Sequence, residues 1–386
     1  MQSGTHRNSQ QEQVIYGRAA LEALAGLADG FGARRLLITS TASLAGGLAQ
    51  SLADGLGDRC VGVFCAISAH SPREGVIAGA DAARRLEADL LVGVGGGSVI
   101  DATKVMQLAL WGGIESAQAL GAYRAGPGQD RVDVGKLAPG VRMVAVPTTL
   151  SAAEFTPFAG VTDVAHHAKE GYAHPLLAPR AVVLDPAVTL STPPRLWFST
   201  GMKAVDHAVE QLCNLARSPY ADALAEAGLK RLAAGLAATQ ERPDDLDARL
   251  ECQIGMWLAM AGASSGRGLG ASHAIGHTLG GSYGVPHGLT SCIALPAVLR
   301  WNEPVAGERQ ALVAALLGRP DLSAATAVKA LAHDLGLPTT LAAVGIHPEQ
   351  FLAIAEHTMH DRGVRSNPRA IAGPRDIVEI LELARD

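Results

Sequence analysis

The sequence predicts two unlike parts, α/β joined to all-α: a parallel α/β domain over residues 1–185, then a helical domain over 186–386. Three observations carry this expectation. Short apolar runs alternate with helix-length stretches as far as Asp185-Pro186, strand-like runs vanish beyond about residue 195, and 386 residues are too many for one small core.

The strands come first. "RRLLITS" (34–40), "CVGVFCAI" (60–67), "ADLLVGVGGGS" (88–98), "VRMVAVPTT" (141–149) and "RAVVLDP" (180–186) are apolar runs bounded by turn residues. Helical patterns at 17–30, 42–56, 72–88 and 98–111 lie between them. Strands spaced by helices of this length imply parallel βαβ units with both sheet faces covered. Residues 112–140 read as a long surface excursion. Beyond the boundary, 217–239, 244–265, 322–335 and 370–384 are helical.

Composition excludes several classes. Hydrophobic residues make up 48% and aromatics only 4%, so the core rests on aliphatic packing. A net charge of −5 without a basic run argues against nucleic acid or an anionic membrane as partner. No apolar run reaches membrane-spanning length, and "MQSGTHRNSQ" lacks the apolar core of a signal peptide. Five scattered cysteines without a CxxC pair suit reduced thiols in the cytoplasm, so a soluble intracellular globular protein is expected.

Two strand ends carry candidate chemistry. In "VGVGGGSVIDATK" (92–104), Gly95, Gly96, Gly97 and Ser98 lie between a strand and a helix. Such a turn lets backbone N–H groups approach a diphosphate at a helix N-terminus, or it is a plain tight turn with Ser98 as cap. Asp101 and Lys104 follow on one helix face, either as an i,i+3 ion pair or reaching back over a cofactor. "VPTTLSAAE" (146–154) places Thr148 and Thr149 at the same carboxyl-terminal sheet edge, where open α/β sheets bind ligands.

The helical half holds a second cluster. "SHAIGHTLGGSYGVPHG" (272–288) carries His273, His277 and His287, three of the chain's 13 histidines within fifteen residues. "GMKAVDHAVE" (201–210) sets Lys203 and His207 four apart on one helix face, with Glu210 a further turn along.

"GGGSVIDATK", "VPTTLSAAEFTP", "VVLDPAVTLSTPP", "GMKAVDHAVE" and "SHAIGHTLGGSYGVPHG" resemble, in order and spacing, the iron-dependent alcohol dehydrogenases. The "HTLGG" core and the "NPR" of "SNPRAI" (366–371) are most similar to the maleylacetate reductases. The resemblance implies an N-terminal dinucleotide-binding domain, a helical catalytic domain, and hydride transfer between NADH or NADPH and a small carbonyl. It assigns the pyrophosphate to Gly95, Gly96, Gly97 and Ser98, the nicotinamide side to Asp101, Thr148 and Thr149, and the ribose to Lys169. The place after the first strand, acidic in many NAD-selective members, holds Ser40, so NADPH is expected to be tolerated. A homodimer is expected from the family alone.

In metal-dependent members an aspartate and three histidines hold the ion. His207, His273 and His287 match the histidines, but Lys203 stands where the aspartate would be. At an effective dielectric of about 20, two unit charges 4 Å apart repel by roughly 4 kcal/mol, and a dication by about twice that. Asp206 is turned about 100° from His207 around the helix and offers no obvious replacement. The sequence therefore predicts an enzyme that works without a metal. Lys203 would polarise a carbonyl or pair with a substrate carboxylate, and His277 would donate a proton to the nascent alkoxide. The alternatives are a metal-dependent alcohol dehydrogenase with water in place of the carboxylate, a dehydroquinate-synthase-like lyase, and a catalytically dead nucleotide-binding protein. The cleft expected in the helical half offers too few basic residues for the phosphate-bearing substrate of such a lyase, and retention of all the histidines argues against a dead protein.

Overall fold

The structure, a computed structural model, describes residues 10–126, 131–166, 168–215, 218–265 and 268–386; the side chain of His287 also lies outside the described residues. The chain forms two compact units that meet in sequence at Ser191/Thr192.

The first unit is built on a six-stranded parallel sheet in the order β1-β8-β5-β4-β2-β3. Its strands are β1 (Gln13–Tyr16), β2 (Leu36–Thr39), β3 (Cys60–Phe64), β4 (Leu90–Gly95), β5 (Arg142–Pro147) and β8 (Ala181–Leu184). Strands β2, β4 and β8 are buried at every residue, because helices cover both faces of a parallel sheet. Their continuous apolar runs follow from that burial. The covering helices are α1 (Ala20–Phe31), α2 (Gln50–Leu56), α3 (Arg73–Arg85) and α4 (Gly97–Trp111), with a short α5 (Ala117–Leu120) in the excursion.

The chain runs outward from β2 to β3 and then returns to lay β4 on the other side of β2. That reversal opens a crevice at the carboxyl ends of β2 and β4, the usual ligand position in open α/β sheets. Gly95 pairs in register with Pro147, so the glycine turn and the threonine-bearing end of β5 are neighbours.

Sequence reading missed β1 and an antiparallel hairpin of β6 (Phe158–Asp163) and β7 (Ala168–Ala173) inserted between β5 and β8. Buried charges fasten this hairpin. Arg73 Nη1 lies 2.9 Å from Asp163 Oδ2, and Arg73 Nε donates to Glu170 Oε2 at 2.9 Å. Arg124 and the Tyr172 hydroxyl complete the Glu170 carboxylate at 2.9 and 3.0 Å.

The second unit is helical: α6 (Pro194–Cys213), α7 (Pro219–Glu241), α8 (Leu246–Ser265), α9 (Ala271–Ser282), α10 (His287–Leu316), α11 (Ala324–Asp334), α12 (Phe351–Thr358), α13 (Gly363–Ser366) and α14 (Pro374–Leu383). Helix α6 is buried almost throughout, with α7, α8 and α10 around it. The α7–α8 approach needs a glycine at 228, where a Cβ would lie 2.7 Å from the Ala259 nitrogen. None of the described helices is long and apolar enough to cross a membrane.

Candidate active site

In the first unit the glycine turn is shaped by close backbone approach. A Cβ at Gly96 would meet Thr149 Cγ2 at 3.0 Å, and one at Gly97 would meet Ser151 Oγ at 3.0 Å. Gly96 caps α4 and Gly97 opens it, so Ser98 sits inside the first turn rather than at the cap. The first amides of α4 have no carbonyl of their own helix to serve them, and their dipole favours an anion. The Thr149 and Ser151 hydroxyls beside this turn are buried and have no hydrogen-bond partner among the described residues. Sequence reading missed Ser151, which shows its place only once β4 and β5 are paired.

The other first-unit candidates divide. Asp101 accepts from the Gly160 amide at 3.0 Å and lies 3.8 Å from Lys104. Lys104 does not reach over a cofactor. It is fully buried, and its Nζ donates to the Ala153 and Phe158 carbonyls at 2.5 and 2.7 Å. Burial pushes its pKa down to about 8. Lys169 is exposed on β7 and lies across Gly160, where a Cβ would meet its Cε at 2.6 Å. Ser40 directly follows β2, but its hydroxyl is spent on the Val94 carbonyl at 2.7 Å. The hydroxyls of Thr41 and Ser43, 2.9 Å apart, come next in the chain.

In the second unit, α6 and α9 bring three of the predicted histidines together. The His207 and His273 rings stack with centroids 4.8 Å apart, and the His277 ring stands edge-on to His273 at 6.3 Å. Lys203, on the same helix as His207, is half-buried and contributes a positive field at both His207 and His273. Burial first, and then neighbouring positive charge, holds the His207 pKa well below the ordinary range and pushes His273 down to about 4. Both rings are therefore neutral at physiological pH.

The carboxylates of α6 serve α9. Glu210 accepts from the Gly270 and Ser272 amides at 2.7 and 2.8 Å, capping the start of α9, and from His273 Nδ1 at 2.8 Å. Asp206 accepts from the Ser272 hydroxyl at 2.8 Å and lies 3.6 Å from the same Nδ1. Asp206 thus belongs to the cluster although it turns away from His207. Burial pushes both carboxyl pKa values up to about 7. His277 donates from Nδ1 to Asp361 Oδ2 at 2.8 Å, a partner 84 residues distant.

Two family models cover most of the chain: "Iron-containing alcohol dehydrogenase" over residues 11–186, and "Fe-containing alcohol dehydrogenase family, C-terminal" over residues 197–385. The chain belongs to the iron-containing alcohol dehydrogenase family. It is an NAD(P)-dependent oxidoreductase and takes a nicotinamide cofactor. Among its relatives, the dehydrogenase FUM7 of Gibberella moniliformis is 34% identical, over 98% of this chain and 97% of its own. Maleylacetate reductase 2 of Cupriavidus pinatubonensis is 33% identical, with 96% and 94% covered. The crystal structure of maleylacetate reductase from Agrobacterium tumefaciens has a TM-score of 0.83 at 27% identity, covering 100% of this chain and 99% of that one.

Whether an iron-family ion suits these residues depends on the donor set. Asp206, Glu210 and His273 bring ligand-type atoms within 4.8 Å of one another. Glu210 already accepts three N–H groups there, one of them from the His273 nitrogen itself. Both carboxylates approach the Nδ1 side of His273, and the unpartnered buried atoms of the cluster are His273 Nε2, His207 Nδ1 and Asp206 Oδ1. The described residues thus offer two imidazole nitrogens and one carboxylate oxygen in the field of the Lys203 ammonium, which repels a cation at both histidines. Such a set does not fit a divalent cation. By contrast, the glycine turn and its unpartnered hydroxyls fit a dinucleotide.

Proposed function

We propose that this enzyme reduces a small carbonyl or unsaturated keto acid without a divalent metal, as a maleylacetate-reductase-like enzyme. The observation that carries this reading is the ammonium of Lys203 beside two neutral, buried imidazoles. The similarity to maleylacetate reductase 2 supports an anionic substrate.

Gly96, Gly97 and the first amides of α4 would hold the pyrophosphate, and Thr149 and Ser151 supply hydroxyls beside it. Lys169 would reach the ribose. No acidic residue directly follows β2, and the hydroxyls of Thr41 and Ser43 would not repel a 2′-phosphate, so both NADH and NADPH serve. When bound, the reduced nicotinamide supplies the hydride. Lys203 would draw electron density onto the carbonyl oxygen as the carbon–oxygen π pair moves there, and His277 would protonate that oxygen. His277 is half exposed and can recover its proton from solvent.

One observation favours metal dependence instead. His273 has its Nδ1 tied to a carboxylate, leaving Nε2 with its lone pair, the arrangement of a metal-ligating imidazole. Metal content and chelator treatment separate the readings. The enzyme purified without chelator should keep its NAD(P)H oxidation with a keto acid after exhaustive dialysis against EDTA, while Lys203→Asp should gain bound metal and lose the native reaction. One tightly bound metal per chain, required for activity, would overturn the metal-free reading.

A further inference from the structure

An imidazole half exposed on a helix ordinarily samples several rotamers and both tautomers. His277 is held instead. Its Nδ1 lies 2.8 Å from Asp361 Oδ2, while Asp361 Oδ1 accepts from the Gly363 amide at 2.8 Å, so both carboxylate oxygens are committed.

The segment carrying Asp361 is pinned against α9 at several points. Thr358 donates to the Thr278 hydroxyl at 3.0 Å, and Ser366 donates to the Leu269 carbonyl at 2.6 Å. Asn367 and Asn302 exchange two side-chain hydrogen bonds at 2.8 and 3.0 Å, tying the segment to α10. At Gly363 a Cβ would lie 2.4 Å from the Gly270 carbonyl, so the segment approaches the start of α9 as closely as only glycine permits. Burial alone would raise the Asp361 pKa, but the His277 ring and the Gly363 amide bring it below the ordinary carboxylate range. The group facing His277 Nδ1 is therefore a carboxylate, which can only accept.

We propose that Asp361 is a positioning residue that locks His277 into the Nδ1–H form. Proton exchange is thereby confined to Nε2, and the carboxylate stabilises the imidazolium before the proton is delivered. This rests on the reading of His277 as proton donor. In each turnover Nε2–H breaks as the alkoxide O–H forms, Nδ1–H stays on the ring, and solvent returns the proton to Nε2.

Asp361→Asn tests this with little disturbance. Its amide carbonyl can still accept from the Gly363 N–H, which turns the NH2 toward His277 Nδ1 and forces that nitrogen to become the acceptor. The ring then carries its proton on Nε2 only when neutral, and the imidazolium is disfavoured. Steady-state kinetics of NAD(P)H oxidation should show kcat falling about 10- to 100-fold, within what general acid catalysis contributes. KM for both substrates should stay within about threefold, thermal unfolding should be unchanged, and Asp361→Glu should recover part of kcat. His277→Ala should lose at least as much kcat, and adding Asp361→Asn to it should cost nothing further. A further drop in the double variant, or wild-type kcat in Asp361→Asn beside an impaired His277→Ala, overturns the positioning role alone. Wild-type kcat in His277→Ala overturns the donor reading and the positioning role with it.

Discussion

Removing the Glu210 carboxylate should loosen the second unit more than its single side chain suggests. Glu210 accepts from the Gly270 amide, the Ser272 amide and His273 Nδ1, all within 2.8 Å, and it is buried. Glu210→Ala strands three donors, each costing about 1–3 kcal/mol if unsatisfied. Against that, keeping the carboxylate buried is itself unfavourable. Its pKa rises from 4.5 to about 7, which corresponds to about 3 kcal/mol at 1.36 kcal/mol per pKa unit. The difference spans about 0–6 kcal/mol, and a loss of about 3–5 kcal/mol is expected, as when one partner of a buried charged network is removed. Glu210→Gln keeps one acceptor for Gly270 and His273 but points its NH2 at the Ser272 amide, so it should fall between alanine and wild type, about 1–3 kcal/mol down. Urea unfolding followed by far-ultraviolet circular dichroism measures both. If Glu210→Ala unfolds within about 0.5 kcal/mol of wild type, the size of an ordinary surface substitution, the capping role assigned to Glu210 is wrong.

Two further outcomes test the first unit. Gly97→Val places a branched side chain against Ser151, where even a Cβ comes within 3.0 Å, and overpacking of this kind costs about 1–3 kcal/mol. Cofactor affinity measured by fluorescence titration should weaken about 10- to 100-fold, and unchanged affinity would remove the glycine turn from the cofactor site. Lys104 tests burial through pH. Its folded pKa, about 8, lies below its unfolded value near 10.5, so the unfolded chain binds more protons between those limits. Wild-type stability should therefore gain up to about 3 kcal/mol relative to Lys104→Met as pH rises from 8 to 10.5. A stability difference constant across that window would contradict it.

What could be read from residues alone followed from how locally each signal is written. "LLVGVG" and "RMVAVP" announced central strands because a strand covered on both faces needs apolar residues at nearly every position. The His273/His277 pair was legible because i,i+4 spacing on one helix is a property of the helix itself. The β6–β7 hairpin was not, because Asp163, Lys169 and Glu170 give it the polarity of a loop, and two of those charges are buried only because Arg73 neutralises them.

The sequence by itself determined the parallel α/β half, the helical half, the family and the placing of Lys203 and His207 on one helix face. Each of these is carried by short-range pattern or by ordered motifs. Tertiary structure alone decided the duties of the polar groups around them. It turned Glu210 and Asp206 to the Nδ1 side of His273, spent Lys104 on the loop after β5, laid Ser151 beside the glycine turn, and brought Asp361 to His277 across 84 residues. Contacts between groups so far apart in the chain leave no periodic trace. They depend on which helix faces meet, and packing settles that only when the whole unit closes.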